Sequence, residues 1–446
     1  MDNEVIELLP SGLISCFVCG REVRILKISP RKLEVRISDE INNDFEIKTV
    51  FYIFDEYRYE ELAIKSYKIV QIIKEEFYMR YVLAIEDDEY VKNVRRVFKD
   101  YSRYVTLKAF GDENEFSKEM VAYPYEKDYE FYEYYWQQKK EWLSELNYEE
   151  WDDCIIDSVE FAVKLDNEGL CSDYLNNDIK TFKENYLKKN FVYDHLFFKK
   201  NFSRIYVGNE FCHNLFPCEE MLFDILQKAE KEKLDITVCF TYMRDCYIEK
   251  TKSILEKLYE WCSLHNKNIE IVINDWGMLK LLEGKNNYFT AVLGVLLNKR
   301  KKDPRYKYKK GYSENKELMS KNNLNSRLFA SFLKKYNIER YEYENCGYKI
   351  AVAEGNHSLQ MPFYVTNTSQ YCTLYAMCTN LDRGKQKLVK SCPKYCSDYV
   401  FAYPKHLKMV GKYNSLFAFD DTLLRNPWLL KDYIASGIDR IVLNFI

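Results

Sequence analysis

The chain has 446 residues, 47% hydrophobic, 30% charged and 16% aromatic, with a formal net charge of −3. That apolar content excludes wholesale disorder, and the length exceeds what one ordinary core organises, so two domains are expected. Near-neutral charge excludes a protein that coats nucleic acid or membrane through its bulk field, leaving only local basic patches for such partners.

The first residues, MDNEVIELLPSG, are acidic where a signal peptide would be basic, and no apolar run approaches the roughly 18–20 residues of a membrane span. The expectation is a soluble, cytoplasmic chain whose 14 cysteines are reduced. From about Glu4 to Leu107 the chain reads as mostly β. GREVRILKIS, KLEVRIS, FEIKTVFYIFD and RYVLAIED are β-branched, partly alternating runs, with Pro30-Arg31-Lys32 as a turn. YKIVQIIKEEF fits a strand or a helix, and EYVKNVRRVFKDYSRY predicts a closing helix. Residues 1–110 are therefore expected to form a small closed or nearly closed β-barrel. The Cys16-x2-Cys19 pair has no second knuckle nearby and reads as a strand or turn with two thiols.

Arg21 and Arg24 lie ahead of Ile28-Ser29-Pro30. This order resembles a PilZ-type domain, a bacterial module that often binds cyclic di-GMP. A binding member shows R-x-x-x-R and then [DN]-x-S-x-x-G. Here the first motif is R-x-x-R, and Lys27 and Lys32 stand where the acid or amide and the glycine belong. The arginines grip guanine and phosphate, and the glycine lets backbone approach the ligand. The resemblance therefore implies a barrel without the nucleotide site.

Residues 111–203 are charged and aromatic, with helical stretches such as EFYEYYWQQKKEWLSELN and IKTFKENYLKKN, and read as a helical connector or the outer layer of the second domain. At Arg204 the pattern becomes IYVGN, EEMLFDILQKAEKEK, ITVCFTY, IEKTKSILEKLYEWCSLHN, IEIVINDWG, MLKLLEG and FTAVLGVLL. This β-α-β-α rhythm continues through NSRLFASFLKKYN, IERYEYE, MPFYVTN and DRIVLNFI. About seven strand–helix units over 204–446 predict a TIM-like α/β barrel, with an open doubly wound sheet as the other arrangement. No G-x-G-x-x-G or P-loop opens a helix, so a dinucleotide or NTP site has no support.

In such a barrel chemistry sits at the carboxyl ends of the strands. Asn274-Asp275 follows IEIVI, and Asn298-Lys299-Arg300 follows the fourth strand, with Arg305 further along the same basic run. These residues are candidates to bind an anionic small molecule or RNA phosphates, although Asn274 and Asp275 could equally cap the next helix. The strand MPFYVTNTSQY leads into Cys372, Cys378, Cys392 and Cys396, a C-x5-C-x13-C-x3-C pattern. Four thiolates so close suit either zinc or an iron–sulfur cluster. Zinc ribbons prefer two C-x2-C knuckles, so the uneven gaps favour an iron–sulfur cluster whose ligands come from separate turns. Free cysteines also pack as small buried hydrophobes. The five histidines fall in no H-E-x-x-H, and there is no G-x-S-x-G.

NIEIVINDWGML, the strand entering VLLNKRKKDPR, and the four cysteines together resemble the collagenase-like peptidase family (family U-32). Its members resemble TIM barrels and often carry a 4Fe–4S cluster on cysteines with uneven gaps of the C-x6-C-x15-C-x3-C kind. Several take part in oxygen-independent hydroxylation of tRNA uridine or the ubiquinone ring, with prephenate as proposed donor. The resemblance covers roughly Arg204 to Ile446. It implies a cluster on Cys372, Cys378, Cys392 and Cys396 and a hydroxylating enzyme acting on RNA or a small molecule. The alternatives are a peptidase and a non-catalytic scaffold stapled by zinc or a cluster, its β-domain docking a protein partner.

Overall fold

The computed structural model describes residues 13–37, 41, 45–53, 58–75, 78–110, 129–144, 146, 153–304, 316–380, 385–403 and 408–446. They fall into two compact units. The first holds the described residues up to 110 with 303–304 and 316–318, and the second holds the rest.

In the first unit the β-branched runs become β1 (Ile14–Val18), β2 (Arg21–Ser29), β3 (Lys32–Ile37), β4 (Ile47–Ile53), β5 (Arg58–Ala63), β6 (Tyr67–Lys74) and β7 (Met79–Ile85). They form an antiparallel sheet in the order β5-β4-β1-β2-β3-β7-β6. The ambiguous YKIVQIIK run is thus a strand. Helix Asp88–Phe110 starts where the Asp87 carboxylate accepts the N–H groups of Glu89 and Tyr90 at 3.0 and 3.2 Å. Its Tyr90, Val94, Val97 and Phe98, spaced along one face, join Cys16, Leu33, Val35, Phe51, Tyr81 and Leu83 in one buried core. Where the sequence predicts a closed or nearly closed barrel, the described residues give a sheet whose edges, β5 and β6, share no ladder. Most of β6 is exposed, including Val70 and Ile72, so it offers β5 no buried face to meet.

The second unit is a closed barrel of eight parallel strands. They are β8 (Glu160–Leu165), β9 (Arg204–Gly208), β10 (Asp235–Cys239), β11 (Ile269–Ile273), β12 (Phe289–Leu293), β13 (Arg340–Glu344), β14 (His357–Thr368) and, after the short β15 (Phe401–Ala402), β16 (Met409–Lys412) and β17 (Ser415–Phe419), β18 (Ile438–Asn444). Helices such as Glu219–Lys231 and Ile248–His265 cross between strands, burying Leu222, Ile225, Leu226 and Ala229 from the first and Ile254, Leu255 and Leu258 from the second. A TIM-like barrel is therefore what this unit forms. It begins at Glu160, inside the stretch 111–203 that reads as a connector from sequence. EFAVKL escapes notice because Glu160 and Lys164 alternate with its apolar residues. They belong to the polar interior. The end of β14 leaves the barrel to pair antiparallel with β17, so residues 369–437 form an extended connection between the last two barrel strands.

Across the interior runs a buried belt of Ala162, Tyr206, Cys239, Val272, Val292 and Val442. Below it the strand N-termini are joined by charge. Arg440, 2% exposed, donates to Glu160 at 2.6 Å, to Glu270 at 2.6 and 3.0 Å, and to the Tyr206 hydroxyl at 3.0 Å. Arg204 donates to Glu160 at 2.7 Å, and Thr237 to Glu270 at 2.8 Å. Burial works against the Glu270 carboxylate, but hydrogen bonds and charge from Arg440 hold its pKa below the usual value.

Replacing Arg440 with Leu leaves Glu160 and Glu270 without their main counter-charge, and such losses cost about 3–5 kcal/mol. Urea denaturation of the full chain should show that loss; less than about 1 kcal/mol would mean the network is idle. A second expectation concerns pH. His357 accepts the Tyr341 N–H at 3.3 Å, His195 accepts the Phe197 N–H at 3.2 Å, and burial lowers both imidazole pKa values to about 4. The unfolded chain binds these protons from about pH 6.5, while the native state stays neutral until about pH 4. Stability should therefore fall as pH drops through that window, by about 1.4 kcal/mol per pH unit per histidine. Denaturant titrations at stepped pH, with wild type beside His357→Gln, measure the slope.

Candidate functional site

The carboxyl ends of the barrel strands carry a second polar layer, and unlike the floor it is not closed by arginines. Lys164, at the end of β8, donates to Glu210 and, at 2.7 Å, to Gln360 Oε1. Gln360 Nε2 donates to Glu342 at 3.1 Å and to Glu210 at 3.2 Å, and Tyr206 donates to Glu342 at 2.9 Å. Lys164, Glu210, Glu342 and Gln360 are all at most 4% exposed. Burial opposes the Lys164 ammonium, but the charge and hydrogen bond of Glu210 outweigh it and raise the pKa. Burial, reinforced by Glu210, raises that of Glu342. One Glu210 oxygen and the Thr241 hydroxyl are buried without a hydrogen-bond partner among the described residues.

The asparagines singled out from sequence hold the rim together. Asn274 Nδ2 donates to the Phe240 carbonyl at 2.9 Å while its Oδ1 accepts the Leu296 N–H at 2.9 Å. Gly294 permits this, because a Cβ there would lie 2.3 Å from Asn274 Oδ1. Asn298 Nδ2 donates to the Glu342 carbonyl at 3.1 Å, leaving Oδ1 unpaired. Asp275 accepts the Gly277 N–H at 2.7 Å and so starts helix Gly277–Leu282, the bland role that sequence left open. Lys299 is exposed, and its N–H donates to Asn323 Oδ1 at 2.8 Å. All three guanidinium nitrogens of Arg300 are buried with no hydrogen-bond partner among the described residues, and its Cζ lies 5.2 Å from the Tyr348 ring centre. Arg305 lies outside the described residues.

The four cysteines all lie in the 369–437 connection. Cys372 precedes helix Thr373–Asn380, which contains Cys378, and Cys396 lies in the short turn Tyr395–Ser397. Burial raises the thiol pKa of Cys372 to about 11 and of Cys378 to about 12, and the charges of Cys372 and Cys392 act on Cys378 and Cys396 as well. The donors suit a soft metal, and backbone N–H groups already point at sulfur, from Tyr375 to Cys372 at 3.3 Å and from Lys394 to Cys392 at 3.4 Å. Such bonds tune iron–sulfur centres. As the side chains stand, no three His, Cys, Asp or Glu among the described residues form a group that could hold a metal ion.

Beside Cys396 a cavity of about 220 Å³ opens, walled by Trp136, Lys139, Tyr186, Lys412 and Tyr413. Lys139 donates to the main-chain oxygen of Ile446 at 2.9 Å, and the Lys412 ammonium stands 5.5 Å from the Tyr413 ring centre. Burial, then repulsion from Lys412 and Lys189, holds the Lys139 pKa well down. Burial lowers that of Lys412 too, against the pull of Asp166. Asp166, 5% exposed, accepts the Tyr413 hydroxyl at 3.2 Å, and burial raises its pKa. Lys139, Lys189 and Lys412 outnumber the one acidic side chain of the lining, Asp398, and with the aromatic walls they suit a small anion. Of this lining only Cys396 stands out in the sequence, because Lys139 and Lys412 share no motif and meet only through the fold.

No family model matches the chain, and no curated protein matches it. The crystal structure of an uncharacterised Legionella protein aligns with 22% of this chain and 92% of that one, at 18% identity and a TM-score of 0.17, too low to speak to the fold.

Asn274 and Arg300 should respond oppositely to truncation. Asn274→Ala strands a buried carbonyl and a buried N–H, costing about 2–3 kcal/mol, whereas Arg300→Met removes an unpaired buried charge and is neutral or stabilising. Urea midpoints of the two variants beside wild type check the pair.

Proposed function

We propose that the barrel is an iron–sulfur enzyme that modifies an anionic small molecule, of the oxygen-independent hydroxylating type. The observation that supports this reading most is that Cys396 lines the same cavity as Lys139 and Lys412. In this reading thiolates of the set Cys372, Cys378, Cys392 and Cys396 hold a 4Fe–4S cluster. When bound, such a cluster supplies electrons and a Lewis-acidic iron. Lys139 and Lys412 bind the anion, and its charge in turn restores theirs. Trp136, Tyr186 and Tyr413 exclude water. Asp166 accepts the Tyr413 hydroxyl and so fixes that phenol at the cavity wall.

An RNA substrate is less well supported, since the buried Arg300 guanidinium is out of reach of a large phosphate backbone. A peptidase needs a nucleophile paired with a base, and the Cys372 thiol instead donates to the Tyr413 carbonyl at 3.2 Å. We further propose that the N-terminal sheet, whose sequence resembles a PilZ domain with a degenerate nucleotide motif, is a docking module for a protein partner.

Protein purified without oxygen should contain about four iron and four acid-labile sulfide per chain and absorb near roughly 400 nm, and Cys372→Ser should lose all three. One zinc and no sulfide would turn the site into a structural staple and end the enzyme reading.

A further inference from the structure

A second, smaller cavity opens on the same rim, between the loop after β9 and the loop after β10. β9 ends at Gly208, whose φ is +110°. A Cβ there would lie 2.4 Å from the Cys239 carbonyl and 3.0 Å from the Phe216 ring, so only glycine lets the two loops close. Phe216 then stacks on Phe240 with ring centres 5.0 Å apart, and His213 on Tyr247 with ring centres 4.3 Å apart. Asn209 Oδ1 fixes the first loop by accepting the N–H groups of Phe211 and Cys212, each at 2.8 Å. Asn274 holds the second through the Phe240 carbonyl. The cavity measures about 30 Å³, about twice what one water molecule needs. The first turn of helix Ile248–His265 brings the exposed Lys250 into its lining.

The polar atoms of this cavity lack protein partners. The Thr241 hydroxyl and His213 Nε2 are buried with no hydrogen-bond partner among the described residues, and Thr241 is only 4% exposed. Lys250 makes no hydrogen bond or ion pair among the described residues, and no carboxylate side chain among them lines the cavity. Burial, then the charges of Arg244 and Lys250, hold the His213 pKa down at about 4, so the imidazole is neutral at physiological pH. A neutral imidazole nitrogen accepts or donates according to its tautomer, and a hydroxyl does both, so the group that satisfies the pair is itself a hydroxyl. A carboxylate at that depth would only accept, and its charge would be costly to bury. Negative charge is favoured at the edge instead, beside Lys250 and the positive end of the helix dipole.

We infer that this cavity binds a small hydroxy acid, its hydroxyl on Thr241 and His213 Nε2 and its carboxylate at Lys250. The space takes about two water-sized groups, which suits a carbinol and excludes a ring. None of Cys372, Cys378, Cys392 and Cys396 lines it, so the inference stands apart from the metal centre and from the Cys396 cavity.

The test is nuclear magnetic resonance of the full chain labelled with carbon-13 at histidine Cε1, which gives five signals. That of His213 is the one lost in His213→Phe. Lactate should move it saturably. Propionate, which lacks the hydroxyl, and 1,2-propanediol, which lacks the charge, should each bind at least about tenfold more weakly. Thr241→Val should weaken lactate binding about tenfold, and Lys250→Met should do the same while leaving propanediol unchanged. Equal affinity for lactate and propionate overturns the hydroxyl assignment, and so does wild-type affinity in Thr241→Val. A His213 signal that lactate does not move overturns the site itself. Should Thr241→Val fail to fold, the exposed position still decides, because unchanged lactate affinity in Lys250→Met overturns the inference.

Discussion

The buried guanidinium of Arg440 is the interaction on which the barrel depends. Its strand, β18, closes the ring between β8 and β14, and from there it reaches Glu160 on β8, Tyr206 on β9 and Glu270 on β11. Arginine suits this place because a planar fork of five donors can serve several acceptors at once without losing its charge. Desolvating it would be prohibitive alone, but two carboxylates and a hydroxyl meet it with good geometry. The result is a sealed floor. Polar chemistry on the interior is thereby confined to the other end, where Lys164, Glu210, Glu342 and Gln360 form a layer with unpaired oxygen left over.

The asparagines at the strand ends answer a different constraint. Where barrel strands splay at the rim, carbonyls lose their ladder partners, and a buried carbonyl left unpaired is costly. Asn209, Asn274, Asn298 and Asn444 each donate to such a carbonyl, those of Asp166, Phe240, Glu342 and Phe363. An asparagine amide copies the peptide group, so a side chain serves as the missing neighbour strand. Polar residues at strand ends look alike whether they face a substrate or a backbone, and sequence alone does not separate the two roles. Arg300 shows the other side of this. Its three nitrogens are buried and unpaired, a state that only the fold reveals.

Much of the fold was legible because the periodicities are strong where helices cover the sheet. EEMLFDILQKAEKEK buries Leu222, Ile225, Leu226 and Ala229, and that stripe is plain in the sequence. β8 was not legible, because an inward face carrying Glu160 and Lys164 breaks the apolar run that marks a parallel strand. In the site, the spacing from Cys372 to Cys396 marks a thiol-rich segment without any structure. The cavity beside it draws on a helix, a strand end and a hairpin, so no local pattern encodes it.

The cavity also has an electrostatic logic of its own. Lys139 and Lys412 are disfavoured as cations by burial, and Lys412 and Lys189 further oppose Lys139. Asp166 is too buried to neutralise them fully, and its own pKa is raised. An entering anion would therefore lower the free energy of the two ammoniums and favour their charged forms, while opposing the carboxylate form of Asp166. Binding and protonation are linked, so the bound molecule would itself set the protonation state of the groups facing it. A surface cluster of lysines would show no such coupling, because water would already have solvated the charge. Enclosure beside Cys396 is what makes the lysines responsive to a ligand, and it bears on function more directly than their number.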